Sequence, residues 1–373
     1  MQFKDVIGQA ELKEKLIFTV KDERISHAQL FEGAMGYGSL VLALAYAQYI
    51  SCENRGEHDS CGVCPSCIKY NKLAHPDLHF VFPVNTTKKV KDKPVSDHFL
   101  TEWREILNEK KYFTEQEWYE HIGIEKQGNI SANEADKILS KLNLKSFESK
   151  YKIMIIWLPE RLNVTSANRL LKLIEEPPVN TIFLFVTEAP NKVLPTIYSR
   201  TQRIRLHPVK DEDIIEALKL QGLNEKETYT ASRLSGGDFI QAMQVLEASE
   251  SSKANFENFI QFMRLAYQND ILGLLEWAET VASMGREKQK SFIAFAERLI
   301  RENFILDKEP EIVYLGFDEF EWSKKFSRFI NETNVFELYN QLNLCIPQLS
   351  QNGNAKIIFT DLALKVKELI RPK

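Results

Sequence analysis

Four of the five cysteines, Cys52, Cys61, Cys64 and Cys67, follow the spacing Cys-x8-Cys-x2-Cys-x2-Cys in a segment broken by the turn formers Gly56, Gly62 and Pro65. Clustering of this kind points to a metal before disulfides. Four thiolates suit tetrahedral zinc, with each Zn–S bond about 2.3 Å and the two-residue spacings letting neighbouring sulfurs converge on one ion. Such a site has no open coordination position, so its expected role is structural. An iron–sulfur cluster is the alternative ligand, one that colour would reveal, and four unligated buried thiols are the plain alternative. His58 and His75 flank the cysteines and are expected in surface or capping roles. Cys345 sits in an apolar stretch and reads as a small core residue.

A second constellation is the glycine loop Gly33-Ala34-Met35-Gly36-Tyr37-Gly38, which follows a short apolar run ending at Phe31 and precedes a run of apolar helix formers over residues 39–50. Strand, glycine loop and helix is the order a phosphate-binding unit needs. A working loop ends in glycine, lysine and a hydroxyl residue, the lysine reaching the β and γ phosphates and the hydroxyl holding magnesium. Here those positions are Ser39 and Leu40. Gly33, Gly36, Gly38 and Ser39 are therefore expected to form a vestigial loop without ATP hydrolysis, because most of the electrostatic stabilisation of phosphoryl transfer is gone. Whether its backbone amides still hold a nucleotide or phosphate is open. A strand-end acid pair is missing too, since Trp157-Leu158 ends the strand where magnesium-binding and water-orienting acids would stand. Glu160 lies beyond a proline; a base role is weighed against that of a surface loop glutamate, which is favoured.

Residues 152–158 and 181–187 are continuously apolar, as central parallel strands are. Between them Ala167, Leu170, Leu171 and Ile174 repeat with helical spacing, and that helix should stop before Pro177-Pro178. Strand, helix, strand implies a right-handed crossover in an α/β sheet. Residues 84–129 interrupt this rhythm with the basic run Lys88-Lys89-Val90-Lys91-Asp92-Lys93 and with Trp103, Tyr112, Phe113, Trp118 and Tyr119. They read as an insertion, several times longer than an ordinary connection, whose second half is a small helical excursion. A solvated basic loop is favoured there over one touching DNA. Beyond His207 helical periods dominate, with Gly236-Gly237 marking a turn.

The 373 residues, 44% hydrophobic and 27% charged, allow two or three packed domains. A net charge of -4 and a pI near 6.1 argue against an autonomous DNA binder. Neither a membrane span nor a signal peptide is read from the sequence, so a cytoplasmic protein with no membrane partner is expected.

Taken together, FKDVIGQ over residues 3–9, His27 to Phe31 leading into the altered loop, the cysteine insertion, His75-Pro76-Asp77, ANRLLKLIEEPP over 167–178 and LPTIYSRTQ over 194–202 resemble the delta-prime subunits of bacterial DNA polymerase III clamp loaders. The resemblance is specific to about residue 206 and rests on helical character beyond it. It implies an α/β P-loop AAA+ domain over 1–207, carrying the zinc module at 52–67 and the insertion at 84–129. A small helical lid over 208–250 and an all-helical collar over 251–373 would follow. It further implies gamma or tau and delta subunits as partners, with the sliding clamp and primed DNA engaged through the complex, and a subunit that assists without hydrolysing ATP. In that family a Ser-Arg-Cys motif aims an arginine at ATP in the adjacent subunit; the matching residues are Ser199, Arg200 and Thr201, so Arg200 is kept and the cysteine is not. The position of a nucleotide-sensing lid arginine corresponds to Ile240. Two rival readings are an active gamma/tau-type ATPase, which needs lysine at Ser39, and a zinc-containing nucleic-acid-binding protein with a vestigial ATPase domain.

Overall fold

A computed structural model describes the chain except residues 35, 125, 143–144, 248, 352 and 371–373, so Met35 of the glycine loop and the last three residues of the expected collar lie outside the described residues. Two compact units result, one formed by residues 1–217 with 237–240, the other by 218–236 with 241–373.

The first unit is built on α1 (Ala10–Lys21), β1 (Ala28–Glu32), α2 (Ser39–Ser51), α3 (Pro65–Asn71), β2 (Leu78–Val81), α4 (Leu100–Glu109), α5 (Glu115–Ile122) and α6 (Ala132–Leu142). It continues with β3 (Lys152–Trp157), α7 (Val164–Glu175), β4 (Thr181–Thr187), α8 (Pro195–Tyr198) and β5 (Gln202–Arg205). Among the described residues the five strands form one parallel sheet in the order β2-β3-β4-β1-β5. Every residue of β1, β3 and β4 is buried, which is why β3 and β4 read as nearly continuous apolar runs, while β1 buries Gln29 and Glu32 as well. The crossover helix α7 ends at Glu175, ahead of the proline pair. All thirteen residues of α2 are buried. Two short strands, β2 and β5, and the helix α6 carry weaker periodic signals and were not evident in the sequence.

Val84 and Asn129 exchange backbone hydrogen bonds of 3.1 and 3.0 Å as an antiparallel bridge, which closes the segment between them. Its helices α4 and α5 pack on the domain through Trp103 and Trp118, both fully buried. Trp103 stacks on Phe82 (ring centroids 4.3 Å apart) and meets Trp118, Phe113 and Trp157 at 5.1, 5.8 and 5.2 Å. Lys88, Lys89, Lys91 and Lys93 are exposed, as a solvated loop would leave them.

The sequence His75-Pro76-Asp77 acquires a structural meaning. The Asp77 carboxylate accepts the amides of Phe147, Glu148 and Ser149 at 2.6, 2.8 and 2.8 Å, closing the loop that feeds β3. His75 is buried, not at the surface; its Nδ1 accepts the Asp77 amide at 3.1 Å, so it caps the turn from inside.

The second unit is helical throughout its described residues. It takes the ends of α9 (Asp211–Lys219) and α11 (Phe239–Glu247), with α10 (Glu225–Ser235), α12 (Ser249–Gln268), α13 (Ile271–Ala282) and α14 (Arg286–Leu306). The last three helices are α15 (Phe317–Phe326), α16 (Val335–Ser350) and α17 (Ala355–Leu369). Its core includes Phe262 stacked on Trp277 at 4.1 Å, and Phe292, Leu299 and Phe359. Cys345 is buried there and its thiol is pushed up to about 12 by burial, an inert core residue.

Replacing Trp103 with alanine should cost about 3–5 kcal/mol, the usual range for emptying a buried aromatic site. Urea unfolding followed by circular dichroism measures it; a loss below about 1 kcal/mol would mean that the insertion does not hold the sheet edge.

Candidate functional site

The carboxyl ends of β1, β3 and β4 face the glycine loop, the position where parallel α/β sheets place ligands. Gly38 adopts φ 88 as the residue preceding α2, and Gly36 adopts φ 70, both left-handed conformations that favour glycine. A Cβ on Gly36 would collide with the Asp238 carboxylate and lie 2.6 Å from the Ile240 backbone nitrogen. The Phe239 amide donates to the Gly36 carbonyl at 3.3 Å. A segment of the same chain therefore lies directly on the loop.

The insertion covers it as well. Tyr112 packs against Gly38, its hydroxyl accepts the Ile7 amide at 2.9 Å, and its ring meets Phe239 at 5.1 Å. Among the described residues a pocket of about 30 Å³ lies there, lined by Gly36, Gly38, Ser39, Tyr112, Trp157 and Ile240 among others. Room for about one water contrasts with the roughly 300–1,000 Å³ of small-molecule sites. Ser39 is buried and its hydroxyl has no partner within the structure. Leu40 is buried too, offering no metal ligand where a hydroxyl would be needed. Ile240 stands against the loop.

Glu160 corrects the sequence reading. It is half-buried and not a free surface side chain: the Thr187 hydroxyl at the end of β4 donates to it at 2.9 Å, and burial raises its carboxyl above the ordinary range. Beside it Glu188 is pushed up to about 8, first by burial and then by the charges of Glu160, Glu115 and Asp238. Sequence reasoning missed Glu188, although its place directly after β4 was a usable signal. Arg161 makes a two-point ion pair with Glu115 of α5, both bonds 2.6 Å. Among the described residues these acids do not converge as metal ligands; the cysteines do.

The cysteines are brought together by three local devices. Cys52 follows α2 directly, Gly62 turns the loop with φ 74, and Cys64 precedes α3, whose first residue is Pro65. All four Sγ atoms lie within 4.8 Å of one another. Cys61 and Cys67 sulfurs are 3.9 Å apart, close to the ~3.8 Å edge of a tetrahedron with 2.3 Å arms. The amides of Cys61, Cys64 and Cys67 donate to Cys52, Cys61 and Cys64 at 3.3, 3.3 and 3.4 Å. Cys61 is lowered to about 6 by the Val63 and Cys64 amides, whereas burial pushes Cys52 and Cys67 upward. A donor set this soft and compact fits a thiolate-bound structural cation, whose charge would offset the burial of the two inner sulfurs. Next to it Asp59 accepts the amides of Phe3 and Lys4, both at 3.0 Å, and Gln2 donates to the Ser60 carbonyl at 2.6 Å. The cysteine loop thus holds the segment that leads into α1. His58 is exposed and takes no part.

Arg200 lies after the four-residue helix α8, apart from both groups. Its Nε donates to Glu175 at 2.6 Å and its Nη1 to the Thr196 carbonyl at 3.0 Å, and the side chain is 38% exposed. Ser199 is exposed beside it. Thr201, standing in place of the family cysteine, donates its hydroxyl to the Ile197 and Tyr198 carbonyls at 3.2 Å each.

A family model described as "DNA polymerase III, delta subunit" matches residues 8–210, more than half of the chain and nearly all of the first unit. The chain belongs to that family. Within it, the similarity is to delta-prime-like clamp-loader subunits. DNA polymerase III subunit delta' of Bacillus subtilis is 28% identical over 211 residues, covering 56% of this chain and 51% of that protein. Subunit delta' of Haemophilus influenzae is 27% identical over 293 residues, covering 78% and 75%. Subunit tau of Bacillus subtilis is 26% identical over 214 residues, covering 57% and 30%. The match thus spans about half of the Bacillus delta' chain and less than a third of tau. The first unit is an AAA+-type parallel core with an inserted four-cysteine cluster, and no described helix is long and apolar enough to cross a membrane.

Two outcomes are expected. The purified chain should carry about one zinc by elemental analysis, and Cys64→Ser should lower both zinc content and melting temperature; full stability with no bound metal would remove the metal reading. The Asp77 carboxyl is pushed up by burial, yet the amides of Ser149, Phe147 and Glu148 outweigh this and hold it below its ordinary value. Its contribution is present above the unfolded pKa of about 3.9 and is lost as pH falls through the lower folded value. Asp77→Asn should therefore reduce stability by about 1–3 kcal/mol at pH 7 and flatten the acid limb of a pH–stability curve below about pH 4.

Proposed function

We propose that this chain is the non-hydrolysing delta-prime subunit of a bacterial clamp loader. It would assemble with gamma or tau and delta subunits in the cytoplasm and help place the sliding clamp on primed DNA. The observation that carries the reading is the lining of the pocket against Gly36 and Gly38, where Ser39 and Leu40, in the places of the lysine and the hydroxyl ligand, stand beside Tyr112, Trp157 and Ile240. Similarity alone does not separate delta' from tau, whose identities to this chain are nearly equal. Ser39, Leu40 and Trp157 favour the inactive member, because each replaces a group that phosphoryl transfer needs. Zinc at Cys52, Cys61, Cys64 and Cys67 would serve the fold only.

The chemistry that remains is directed outward. Arg200, with Ser199 beside it, is proposed to reach the ATP of a neighbouring subunit and stabilise charge on the transferring phosphoryl group, a role an arginine can fill in trans. Its present partner Glu175 is 49% exposed, and such surface pairs are worth about 0–1 kcal/mol. Releasing it costs little against a charge-assisted bond to phosphate. In this reading residues 208–250 act as the lid and 251–373 as the collar that joins the ring.

The isolated chain should show no ATP turnover above background. Reconstituted with gamma and delta, the Arg200→Ala subunit should assemble normally and change unfolding stability by less than about 1 kcal/mol. It should nevertheless lower DNA-stimulated ATPase several-fold, with little recovery in Arg200→Lys because lysine lacks the planar fork. Unchanged turnover of the reconstituted complex would refute the trans role, and turnover by the isolated chain would refute the inactive reading.

A further inference from the structure

Strand β5 is the last in the sheet, so one of its edges is open among the described residues. The Leu206 amide donates inward to the Glu32 carbonyl at 2.8 Å. Hydrogen-bonding groups alternate along a strand, so the amides and carbonyls of Arg203, Arg205 and His207 point to the open side. At His207 that outward pair is already engaged: the Gln9 side-chain amide donates to its carbonyl at 2.6 Å and accepts its amide at 3.5 Å. One side chain thereby imitates an added strand at one position. Arg203 and Arg205 have no corresponding backbone partner among the described residues.

A groove of about 560 Å³ runs beside this edge, between α1 and β5. Leu12 and Leu16 of α1 and Ile204 of β5 give it an apolar wall. Lys15, Arg203 and Arg205 line it as well, and no acidic side chain does. Both arginines are held in place, Arg205 by Glu32 at 2.5 Å and Arg203 over the Tyr198 ring at 5.3 Å. Ile204 packs toward the core that includes α1, whereas Arg203 turns to the α8 side through Tyr198. The two sides of the edge therefore differ in chemistry: apolar toward α1, cationic toward α8.

We propose that a partner protein docks here by adding an extended segment to β5, its residues alternating between apolar and acidic. Side chains of an added strand alternate between the two faces. One set enters beside Leu12 and Leu16, the other meets Arg203 and Arg205, Lys15 at the groove adds a further positive charge for the segment's acids, and the main chain takes the open hydrogen bonds of Arg203 and Arg205. This is recognition by strand addition, with affinity from the backbone and specificity from alternate side chains. A nucleic-acid strand fits less well, because it lacks the regular N–H donors that the open carbonyls require and would find few cations to neutralise its phosphates. The site uses neither the glycine loop nor Arg200, so it stands or falls apart from the clamp-loader role.

The test uses the full chain and a fluorescein-labelled eight-residue peptide of alternating valine and glutamate, read by anisotropy. Saturable binding is expected, at least tenfold tighter than for a block peptide of the same composition, an alternating valine–lysine peptide or an oligothymidylate. Amide exchange at Arg203 and Arg205 should slow in the complex. Arg203→Glu should weaken binding at least tenfold, and Lys15→Glu, on the helix and outside the sheet, should act in the same direction if the strand variant folds poorly. Equal binding of the block or lysine peptide, tighter binding of the oligothymidylate, unchanged exchange at both amides, or no saturation at millimolar peptide would each overturn the proposal.

Discussion

The packing of Tyr112 against Gly38 ties the insertion to the glycine loop, and the neighbouring contacts at that end of the sheet are arranged around it. In an ATP-holding site the phosphates satisfy the loop amides and the start of the following helix. Here the Phe239 amide meets the Gly36 carbonyl, and Tyr112 lies against Gly38 with its hydroxyl accepting the Ile7 amide. Tyr112 comes from the insertion, whose own position is fixed by Trp103 and Trp118 and by the Arg161–Glu115 pair. The aromatic cluster that packs the insertion and the plug that covers the loop are thus one piece of structure.

The acids near the loop fit this packing. Burial raises the carboxyls of both Glu160 and Glu188, and the charge of Glu160 adds to the rise at Glu188. With Glu188 pushed up to about 8 it is largely protonated at neutral pH, which reduces the cost of enclosing several acids together. A bound divalent cation would demand the opposite, ionised carboxylates converging on one point.

Much of this was legible in the sequence where one kind of residue dominates a position. The continuous apolar runs of β3 and β4 announced buried parallel strands, and the cysteine spacing announced a convergent cluster. Short edge elements were not legible: β5, with Arg203 and Arg205 exposed, has no apolar run to read, and its pairing with β1 is a long-range fact. Glu160 was misread for a related reason. It lies in the turn after a strand, where a surface side chain is the usual reading, and the hydroxyl of Thr187 that engages it is brought alongside by β4. The occlusion by Tyr112 was equally hidden, since nothing local to residue 112 reports that it touches Gly38.

Arg200 shows how an exposed residue can be placed with the accuracy of the core. It follows α8, which is anchored by the fully buried Ile197 and starts at Pro195, so little of the short segment between β4 and β5 is free to move. Thr201 closes the helix end with two hydroxyl bonds to carbonyls, a polar device in the place of the family's cysteine. The guanidinium itself is held by a solvent-exposed carboxylate, the weakest class of ion pair. A rigid base and a loosely held tip are the combination a residue acting across an interface requires: the base sets the reach, and the tip exchanges one anionic partner for another at small cost. By contrast the Arg161–Glu115 pair is two-pointed and partly buried, and breaking it would leave charge inside the domain. The two arginines differ in burial and partner geometry: Arg161 holds the insertion, and Arg200 is the more loosely tied of the two.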